Sequence, residues 1–252
     1  MPNATMSTTR IFVPVPVRSG EDLWLDGEKA HYLTRVLRVR SADTIVVFDG
    51  HGGEYPAVVG EISRQGVQLR PGAHSPRDVE SPLAIRLIQG ISRGERMDFV
   101  VQKATELGVQ RITPVHTAYS VVRLKADRVE NKSGHWERIA QSACEQCGRN
   151  ILPVIDAAAD LDTALAEPMG GSRVILHTGG GEPIGTLQRI DGALTLLIGP
   201  EGGFNAAEIE LAARVGFVPL SLGPRVLRTE TAALAAIAIL QSLFGDLNRN
   251  TD

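Results

Sequence analysis

The sequence has few of the residues that mark several common protein classes. It holds only two cysteines, Cys144 and Cys147, which excludes a scaffold stapled by disulfides. Their C-x-x-C spacing has neither a second cysteine pair nor an H-x-x-x-H to complete a zinc site, so we expect no metal. A redox pair would sit at a helix start, where the dipole lowers the thiol pKa. Here the pair lies inside a run with helical periodicity from Trp136 through Ile139 and Ala143, so we interpret both cysteines as small residues on a helix face.

Long apolar runs are also missing. Nothing in the sequence approaches the roughly 20 consecutive apolar residues that cross a bilayer. The longest candidate, Ala232 to Leu240, has nine residues and is typical of a buried helix. The polar start, Met1 to Arg10, lacks the apolar stretch of a secretion signal. We therefore expect a cytoplasmic protein with no membrane partner.

A strong positive charge, the usual mark of a nucleic-acid binder, is absent as well. The formal net charge is −3, and residues 150–252 hold six basic and twelve acidic side chains. Residues 86–149, with eleven basic and seven acidic side chains, carry a positive surplus. The total charge therefore argues weakly against a nucleic-acid partner, although charge can cluster in space in ways that a count does not reveal.

The first part of the chain has the pattern of a small β-rich domain. From Arg10 to about Leu69, short β-branched runs are bounded by Gly, Pro and Asp. One amphipathic piece interrupts them and places Leu33, Val36 and Leu37 on one predicted helix face. We predict a β-rich domain over residues 1–75.

A proline-rich segment and a different pattern follow. Pro71 to Pro82 contains three prolines and is predicted to be a linker. From Leu83 onward, continuous apolar strands alternate with helices, which predicts an α/β fold with a parallel sheet covered on both faces. Such sheets bind ligands in the loops beyond the carboxyl ends of their strands. We predict that this domain spans residues 76–252.

Two segments at predicted strand ends carry the candidate chemistry. The first is LLIGPEGGFNAAE, in which an apolar strand ends in glycines and a helix begins near Asn205, with Glu208 completing a capping pattern. Its glycines would let backbone groups approach a ligand closely, although a turn without any ligand has the same pattern. The lysine and Ser/Thr of a P-loop and the spacing of a dinucleotide fingerprint are both missing.

The second segment is LSLGPRVLRTETAALAA, which places Arg225 and Arg228 just before a helix whose first turn holds Thr229. Cations are unusual before a helix N-terminus, because the helix dipole there favours anions. The arrangement makes sense if both arginines face an anionic partner, and solvated loop arginines are the alternative.

Taken together, the two segments resemble the C-terminal signatures of the RsmE family within the SPOUT methyltransferases. IGPEGGF-x-x-x-E and LGPRVLRTETA carry the resemblance, and it is supported by RIFVP, HYLTRVLRVRSAD, FDGHGGEY, QKATELGV and the W-E-R-I run of the middle segment. The similarity extends from about Arg10 to Phe244. Two departures are mild, since Cys147 stands where the family often has Ser and Ala42 replaces a turn Gly. The loop HTGGGEPIG matches no strong family pattern.

The resemblance implies a fold, a cofactor and a reaction. The fold would be a small N-terminal PUA-like, RNA-binding barrel followed by a SPOUT α/β domain with a trefoil knot that binds S-adenosylmethionine and forms a homodimer. The reaction would be methylation of the N3 atom of uridine 1498 in 16S ribosomal RNA, within the assembled small subunit. The cofactor-binding residues implied by the resemblance are His177, Thr178, Gly179, Ile198, Gly199, Pro200, Glu201, Gly202, Leu222, Gly223, Leu227, Arg228 and Thr229.

The resemblance also suggests roles for charged residues. Arg228 is expected to stabilise the uracil anion that forms when N3 loses its proton, with Arg225 holding phosphate or uracil. Glu201 or Glu230 is expected to accept the proton. The arginines expected to contact RNA phosphates are Arg10, Arg18, Arg35, Arg38 and Arg149.

Two other functions compete with this interpretation. One is a small-molecule α/β transferase that holds a nucleotide in the glycine-rich loops, although the missing P-loop lysine and the dispersed histidines argue against it. The other is an RNA-binding assembly factor that keeps the fold without turnover, although the intact LGPRVLRTETA motif argues against that.

Overall fold

The fold is described from a computed structural model, which covers residues 9–120, 126–168, 170–190 and 192–248, with side chains everywhere except 126–131. The chain divides into two compact units. The N-terminal unit comprises the residues up to Glu80 together with Cys144–Leu152, and the C-terminal unit comprises Ser81–Ala143 and the residues from Pro153 onward. Residues 1–8, from which the missing secretion signal is argued, lie outside the described part.

The N-terminal unit is built on one five-stranded mixed sheet. Its strands are β1 (Arg10–Phe12), β2 (Leu23–Leu25), β3 (Thr44–Phe48), β4 (Tyr55–Ile62) and β5 (Val67–Pro71), in the order β1-β3-β4-β5-β2. The pair β1–β3 is parallel and the other pairs are antiparallel. Alternate residues such as Ile45, Val47, Val67 and Leu69 point into a shared apolar core, as the period-2 pattern predicts.

The amphipathic piece of this unit is only partly the helix that its sequence predicts. A short helix α1 (Gly27–His31) is followed by a turn of π-helix over Tyr32–Val36, in which the Leu37 N–H donates to the carbonyl five residues back. Leu33 is buried, but Val36 is exposed, so the prediction that Val36 shares the buried face is wrong. The wider turn of a π-helix rotates a residue three positions on away from the face that an α-helix would give it.

The proline-rich segment predicted as a linker is attached to the N-terminal unit. Ser75 pairs with Glu54 through two backbone hydrogen bonds, and the Arg77 Nη1 donates to the Gly148 carbonyl at 2.8 Å. Glu80 accepts from Arg149, whose side chain belongs to the same unit. These contacts make Ser75 to Glu80 part of a packed structure, which a count of prolines does not predict.

The C-terminal unit is an α/β layer structure. Its strands are β6 (Ala84–Gly90), β7 (Arg111–His116), β8 (Val154–Ile155), β9 (Ala159–Asp160), β10 (Ser172–Leu176), β11 (Glu182–Pro183), β12 (Ala193–Ile198) and β13 (Val218–Ser221). Its α-helices are α2 (Arg96–Glu106), α4 (Leu161–Ala166), α5 (Ala206–Arg214), α6 (Thr229–Phe244) and most of α3 (Ala126–Cys147), whose residues from Cys144 on belong to the N-terminal unit, with a 3-10 turn at Ile184–Thr186. All strand pairs are parallel, in the order β11-β13-β10-β12-β6-β7-β8, and β9 also pairs with β7.

Both faces of this sheet are covered, as continuous apolar strands predict. On one face, α2 and α6 pack over Leu87, Leu196 and their neighbours, and on the other face α4 and α5 pack over Ile88 and Leu197. The trefoil knot implied by the resemblance stays a prediction. In the described ranges no helix has the length and apolar character that a membrane span requires.

The cysteine pair lies at the end of α3, which confirms the interpretation of two residues on a helix. Cys144 is fully buried beside Phe12 and Phe48, and burial raises the pKa of its thiol to about 12. The thiolate that redox chemistry and metal binding require is therefore suppressed at Cys144.

Candidate active site

Four adjacent strands of the sheet end at one edge and supply the loops of the site. Because β13, β10, β12 and β6 are parallel neighbours, their carboxyl ends lie side by side. The loops that follow them enclose a cavity of about 500 Å³, within the usual size range of small-molecule sites. Its wall includes the loop after β12 and the loop between β13 and α6, the two segments on which the sequence places the chemistry.

Nearly all of the residues predicted to bind the cofactor line this cavity. Those present in its wall are His177, Thr178, Ile198, Gly199, Pro200, Glu201, Gly202, Leu222, Gly223, Leu227, Arg228 and Thr229. Gly179 is not part of the wall. A Cβ at Gly179 would lie 2.5 Å from the His177 Nε2, so this glycine leaves room for the histidine ring, and its contact with the cofactor stays a prediction.

Glycines allow the loops of the cavity to pack closely. A Cβ at Gly199 would lie 3.1 Å from the Gly203 Cα, and one at Gly202 would lie 2.6 Å from the Tyr119 Cβ. Gly223 has a φ of +87°, which suits glycine, and a Cβ there would meet open space. Lack of space therefore excludes side chains at Gly199 and Gly202, and backbone conformation favours glycine at Gly223.

The donor set of the cavity fits the cofactor that the resemblance implies. Backbone of the glycine-rich loops faces the cavity beside apolar side chains of Leu176, Ile198 and Leu220. Adenine and ribose need apolar surface together with a few backbone hydrogen-bonding groups, and this wall supplies both.

Thr229 fixes the start of α6 to the glycine-rich loop. Its buried hydroxyl donates to the Gly199 carbonyl at 2.6 Å and accepts from the Gln89 Nε2 at 2.9 Å. One side chain therefore links α6, the loop after β12 and the end of β6.

The helix after the glycine-rich loop begins with the predicted cap. The Asn205 side chain accepts from the Glu208 N–H at 2.8 Å, and the Glu208 carboxylate accepts from the Asn205 N–H at 2.9 Å. Glu208 also accepts from the Ala118 N–H at 2.7 Å, so the cap connects α5 to the chain after β7.

Arg225 and Arg228 both line the cavity and are exposed. In the part of the chain that the structure describes, neither guanidinium has an ion-pair partner. Arg228 is the N-cap residue of α6, so its charge lies at the positive end of the helix dipole. Two unneutralised cations at such a position create a site that favours an anion.

A third arginine, Arg96, was not predicted from the sequence. Its Nη1 donates to the Glu201 Oε1 at 2.5 Å, and its Nε lies 3.9 Å from the Glu230 Oε1. Glu201 also accepts from the Arg93 N–H at 3.1 Å. Its position in the sequence could have indicated it, because Arg96 lies in the segment after β6, and β6 pairs with β12, the strand that precedes the glycine-rich loop.

These contacts determine the acid–base character of Glu201. Partial burial acts to raise its pKa, but hydrogen bonds from its own N–H, from the Arg93 N–H and from Arg96 outweigh burial and lower the pKa. A carboxylate with a lowered pKa is a weaker base. The geometry therefore favours a role for Glu201 in holding Arg96 over its predicted role as proton acceptor.

Two of the arginines predicted to bind RNA are engaged inside the N-terminal unit. Arg10 pairs with Glu54 and donates to the Asn150 Oδ1 at 2.5 Å. Arg149 is 3% exposed and donates to the Glu80 carboxylate at 2.6 Å. This corrects the prediction for Arg149, because a buried and paired guanidinium is not available to a phosphate. Arg10 is partly exposed, but its guanidinium is already engaged by Glu54 and Asn150.

The other three predicted RNA contacts are exposed. Arg18 lies 3.6 Å from Glu21, and both of these side chains are largely exposed. Arg35 belongs to the π-helical turn and Arg38 follows it with a φ of +55°. The structure thus leaves these three cations accessible at the surface of the N-terminal unit, where their contact with RNA stays a prediction.

Comparison with known families identifies both parts of the chain. A family model described as an RNA methyltransferase domain matches residues 79–241, and one described as an RNA methyltransferase PUA domain matches residues 25–72. The N-terminal sheet and the parallel C-terminal sheet are therefore the PUA-like and SPOUT-type parts that the resemblance implies.

Relatives match over nearly the whole length. The ribosomal RNA small subunit methyltransferase E of Buchnera aphidicola subsp. Schizaphis graminum is 35% identical over 240 residues, covering 95% of this chain and 98% of that protein. A methyltransferase of Legionella pneumophila, solved with bound S-adenosylmethionine, is 39% identical with a TM-score of 0.89, covering 95% of this chain and 99% of that one. The ribosomal RNA small subunit methyltransferase E of Neisseria gonorrhoeae, bound to S-adenosylmethionine, is 36% identical with a TM-score of 0.89 over the same shares. The chain therefore belongs to the RsmE family of S-adenosylmethionine-dependent ribosomal RNA methyltransferases.

Proposed function

We propose that this methyltransferase transfers a methyl group to the N3 atom of a specific uridine, uridine 1498, of 16S ribosomal RNA. The observation that carries the proposal is the pair of exposed arginines, Arg225 and Arg228, in the wall of the cofactor cavity. Uracil N3 is a good nucleophile only after it loses its proton, and the resulting negative charge spreads to the two flanking carbonyl oxygens. Fixed cations beside those oxygens stabilise this anion as it forms.

The chain itself must position the reactants and manage charge. S-adenosylmethionine supplies an electrophilic methyl group when it is bound. His177, the Gly199–Gly202 loop and the Leu222–Thr229 loop would hold the cofactor, mainly through backbone and apolar contacts. Holding two reactants in line replaces an encounter in solution and supplies much of the rate.

Arg228 and Arg225 have different tasks in this proposal. Arg228 precedes α6 directly, and its backbone carbonyl accepts the Ala232 N–H at 2.8 Å, which fixes its position at the cavity. It stabilises the charge on the uracil oxygens and stays cationic throughout. Arg225, three residues earlier in the same loop, holds the phosphate or the uracil ring.

Glu230 is the better candidate for the proton acceptor. Glu201 is held by two donors besides its own N–H, and its pKa is lowered. The Glu230 side chain is 15% exposed, and its accessible Oε1, which lies 3.9 Å from the Arg96 Nε, accepts no hydrogen bond from the described residues. A carboxylate oxygen with no donor is free to accept the N3 proton.

The assembly and the place of action belong to the same proposal. We infer a homodimer that acts on the small ribosomal subunit in the cytoplasm, without a metal ion, using the exposed arginines of the N-terminal unit to contact RNA. Sedimentation at several protein concentrations tests the dimer, and a protein that stays monomeric at every concentration would contradict it.

Small subunits that lack the modification, incubated with labelled S-adenosylmethionine and digested to nucleosides for mass spectrometry, test the reaction. We expect 3-methyluridine at a single position. A different methylated nucleoside would replace the N3 assignment, and bound cofactor without any transfer would favour the non-catalytic RNA-binding factor. Absence of cofactor binding would favour a nucleotide-using small-molecule transferase.

A further inference from the structure

A second cavity lies beside the proposed cofactor cavity and has Glu230, the proposed proton acceptor, in its wall. It has a volume of about 730 Å³, and Arg93, Gly94, Glu95, Arg96, Phe99, Glu201 and Glu230 line it. Arg96 and Glu201 belong to the walls of both cavities. A molecule in the second cavity would therefore lie next to one in the first.

One wall of the second cavity is aromatic. Phe99 lies in the first turn of α2, and its side chain is 45% exposed. A large exposed aromatic side chain in a concave site is a platform on which a nucleic-acid base can stack. Such stacking places few demands on sequence, because every base has a π-face.

The polar part of the cavity wall includes a carboxylate and a guanidinium, those of Glu230 and Arg96. Glu230 lines the cavity with one buried oxygen, Oε2, and one accessible oxygen, Oε1, to which no described group donates. An acceptor without a donor suits a ligand that brings an N–H group. Arg96, anchored by Glu201 at 2.5 Å and 3.9 Å from Glu230, presents donors beside that acceptor.

We propose that the second cavity receives the target uracil base after it leaves the RNA stack, an inference that rests on the proposed function. Phe99 stacks on the ring, Arg96 donates to a ring carbonyl and Glu230 accepts the N3–H. Uracil offers a carbonyl, an N–H and a second carbonyl along this edge, and in the proposal the second carbonyl faces Arg228 in the wall of the adjacent cavity. Cytosine has an unprotonated N3 there, which would face the Glu230 carboxylate without a proton between them. The cavity therefore selects uracil over cytosine.

The same contacts fit the transfer step. The N3 proton goes to the Glu230 carboxylate, and the electron pair left on N3 forms the bond to the methyl carbon. The electron pair of the broken carbon–sulfur bond stays on sulfur, so the positive charge of the sulfonium and the negative charge of the base are both consumed. Specificity and proton transfer then depend on one side chain.

The test measures binding and turnover separately in full-length protein. Affinity for unmodified small subunits is measured with S-adenosylhomocysteine present, which permits no transfer. We expect Phe99→Leu to weaken this affinity between about fivefold and a hundredfold, with KM for subunits raised and the affinity for S-adenosylmethionine unchanged. Phe99→Tyr, which restores a π-face, should bind subunits more tightly than Phe99→Leu does. Val154→Ala, an exposed position on the edge strand β8, is the control for a general loss of apolar surface.

A second variant tests the polar edge. Glu230→Gln can donate to an unprotonated ring nitrogen, so it should bind subunits with cytidine at the target position more tightly than the wild type does. Unchanged binding by Phe99→Leu, or a change in its sedimentation that accounts for the loss, would overturn the inference. The nucleoside formed by the wild type separates the two proposals. A product other than 3-methyluridine refutes the function, while a binding loss in Phe99→Leu would still support a base pocket.

Discussion

Among single residues, Arg228 is expected to act on the reaction and not on cofactor binding. The proposed cofactor site is lined by glycine-rich loops and apolar residues, and Arg228 is an exposed residue of the same wall. Removing one preorganised donor to a developing oxyanion costs about 10²–10³-fold in kcat. We therefore expect Arg228→Ala to lose about this much activity in single-turnover assays, while calorimetry finds wild-type affinity for S-adenosylmethionine.

The matched variant Arg228→Lys retains the positive charge but loses the planar guanidinium with its paired N–H donors. It should fall between the wild type and Arg228→Ala, because electrostatic stabilisation survives without the paired hydrogen bonds. Full activity of Arg228→Ala would remove this residue from the mechanism.

Ala42 adopts a backbone conformation that favours glycine. It has a φ of +72°, in the left-handed region, and its N–H donates to the Val59 carbonyl at 2.8 Å. Side chains with a Cβ pay roughly 1–2 kcal/mol in this region, and glycine does not. The departure from glycine noted in the sequence therefore falls on a strained turn.

We expect Ala42→Gly to stabilise the protein by up to about 1 kcal/mol, since relief of strain exceeds the entropy that glycine adds to the unfolded chain. Urea unfolding followed by circular dichroism measures this. The control is Ala57→Gly in the adjacent strand β4, which should destabilise. A loss of stability in Ala42→Gly would contradict the strain argument.

At the scale of elements, the cap of α5 connects stability to the shape of the glycine-rich loop. Asn205 and Glu208 satisfy two N–H groups at the helix start, where no carbonyl of the helix is available. Asn205→Ala should lower the free energy of unfolding by about 1 kcal/mol, measured by urea titration, and Asn205→Asp should retain most of it. Equal stability of Asn205→Ala and the wild type would mean that water replaces the cap.

Most elements of the C-terminal unit were predictable from sequence, and the reason is physical. Apolar strands such as β10 and β12 are buried on both faces, so their residues form short continuous apolar runs. The site loops were found because each follows such a strand and carries Gly and Pro. Arg96 was missed because its place in the site depends on the pairing of β6 with β12, strands far apart in sequence.

Several features of the N-terminal unit could not be predicted from local sequence patterns. Strand β2 has three residues, too few for a recognisable alternation. The return of Cys144–Leu152 to this unit brings Arg10 next to Asn150, 140 positions away, and the pairing of Arg10 with Glu54 spans 44 positions. A count of charges treats Arg10 and Arg35 alike, although only Arg35 is exposed.

At the scale of the whole molecule, acid should weaken the N-terminal unit through Glu54. Partial burial acts to raise the pKa of Glu54, but hydrogen bonds and charge from Arg10, with help from Asn150 and Arg77, lower it below the ordinary value of 4.5. A lowered pKa means that the carboxylate stabilises the fold above pH 4.5. This stabilisation is lost as the pH falls below 4.5 and through the lowered value.

Glu54→Gln should therefore be less stable than the wild type at neutral pH and should lose less stability on acidification below pH 4.5. Melting temperatures measured from pH 7 down to acid test this. Glu61→Gln, an exposed position on β4, should follow the wild-type profile. Parallel profiles for Glu54→Gln and the wild type would show that the ion pair is not the group that titrates.

The last prediction concerns how the molecule as a whole attracts RNA at a net charge of −3. Contacts with phosphate release counterions, so the logarithm of the affinity falls with the logarithm of the salt concentration, and each contact adds to the slope. Arg35 and Arg38 are exposed, and no described carboxylate forms an ion pair with either. Arg35→Gln and Arg38→Gln should each reduce the salt-dependence slope for small-subunit binding by about one, while the melting temperature stays near that of the wild type.

Arg149→Gln is the control. It should leave the slope unchanged and lower the melting temperature, because Glu80 loses its buried partner. An unchanged slope in the Arg35 and Arg38 variants would mean that RNA approaches another face of the N-terminal unit.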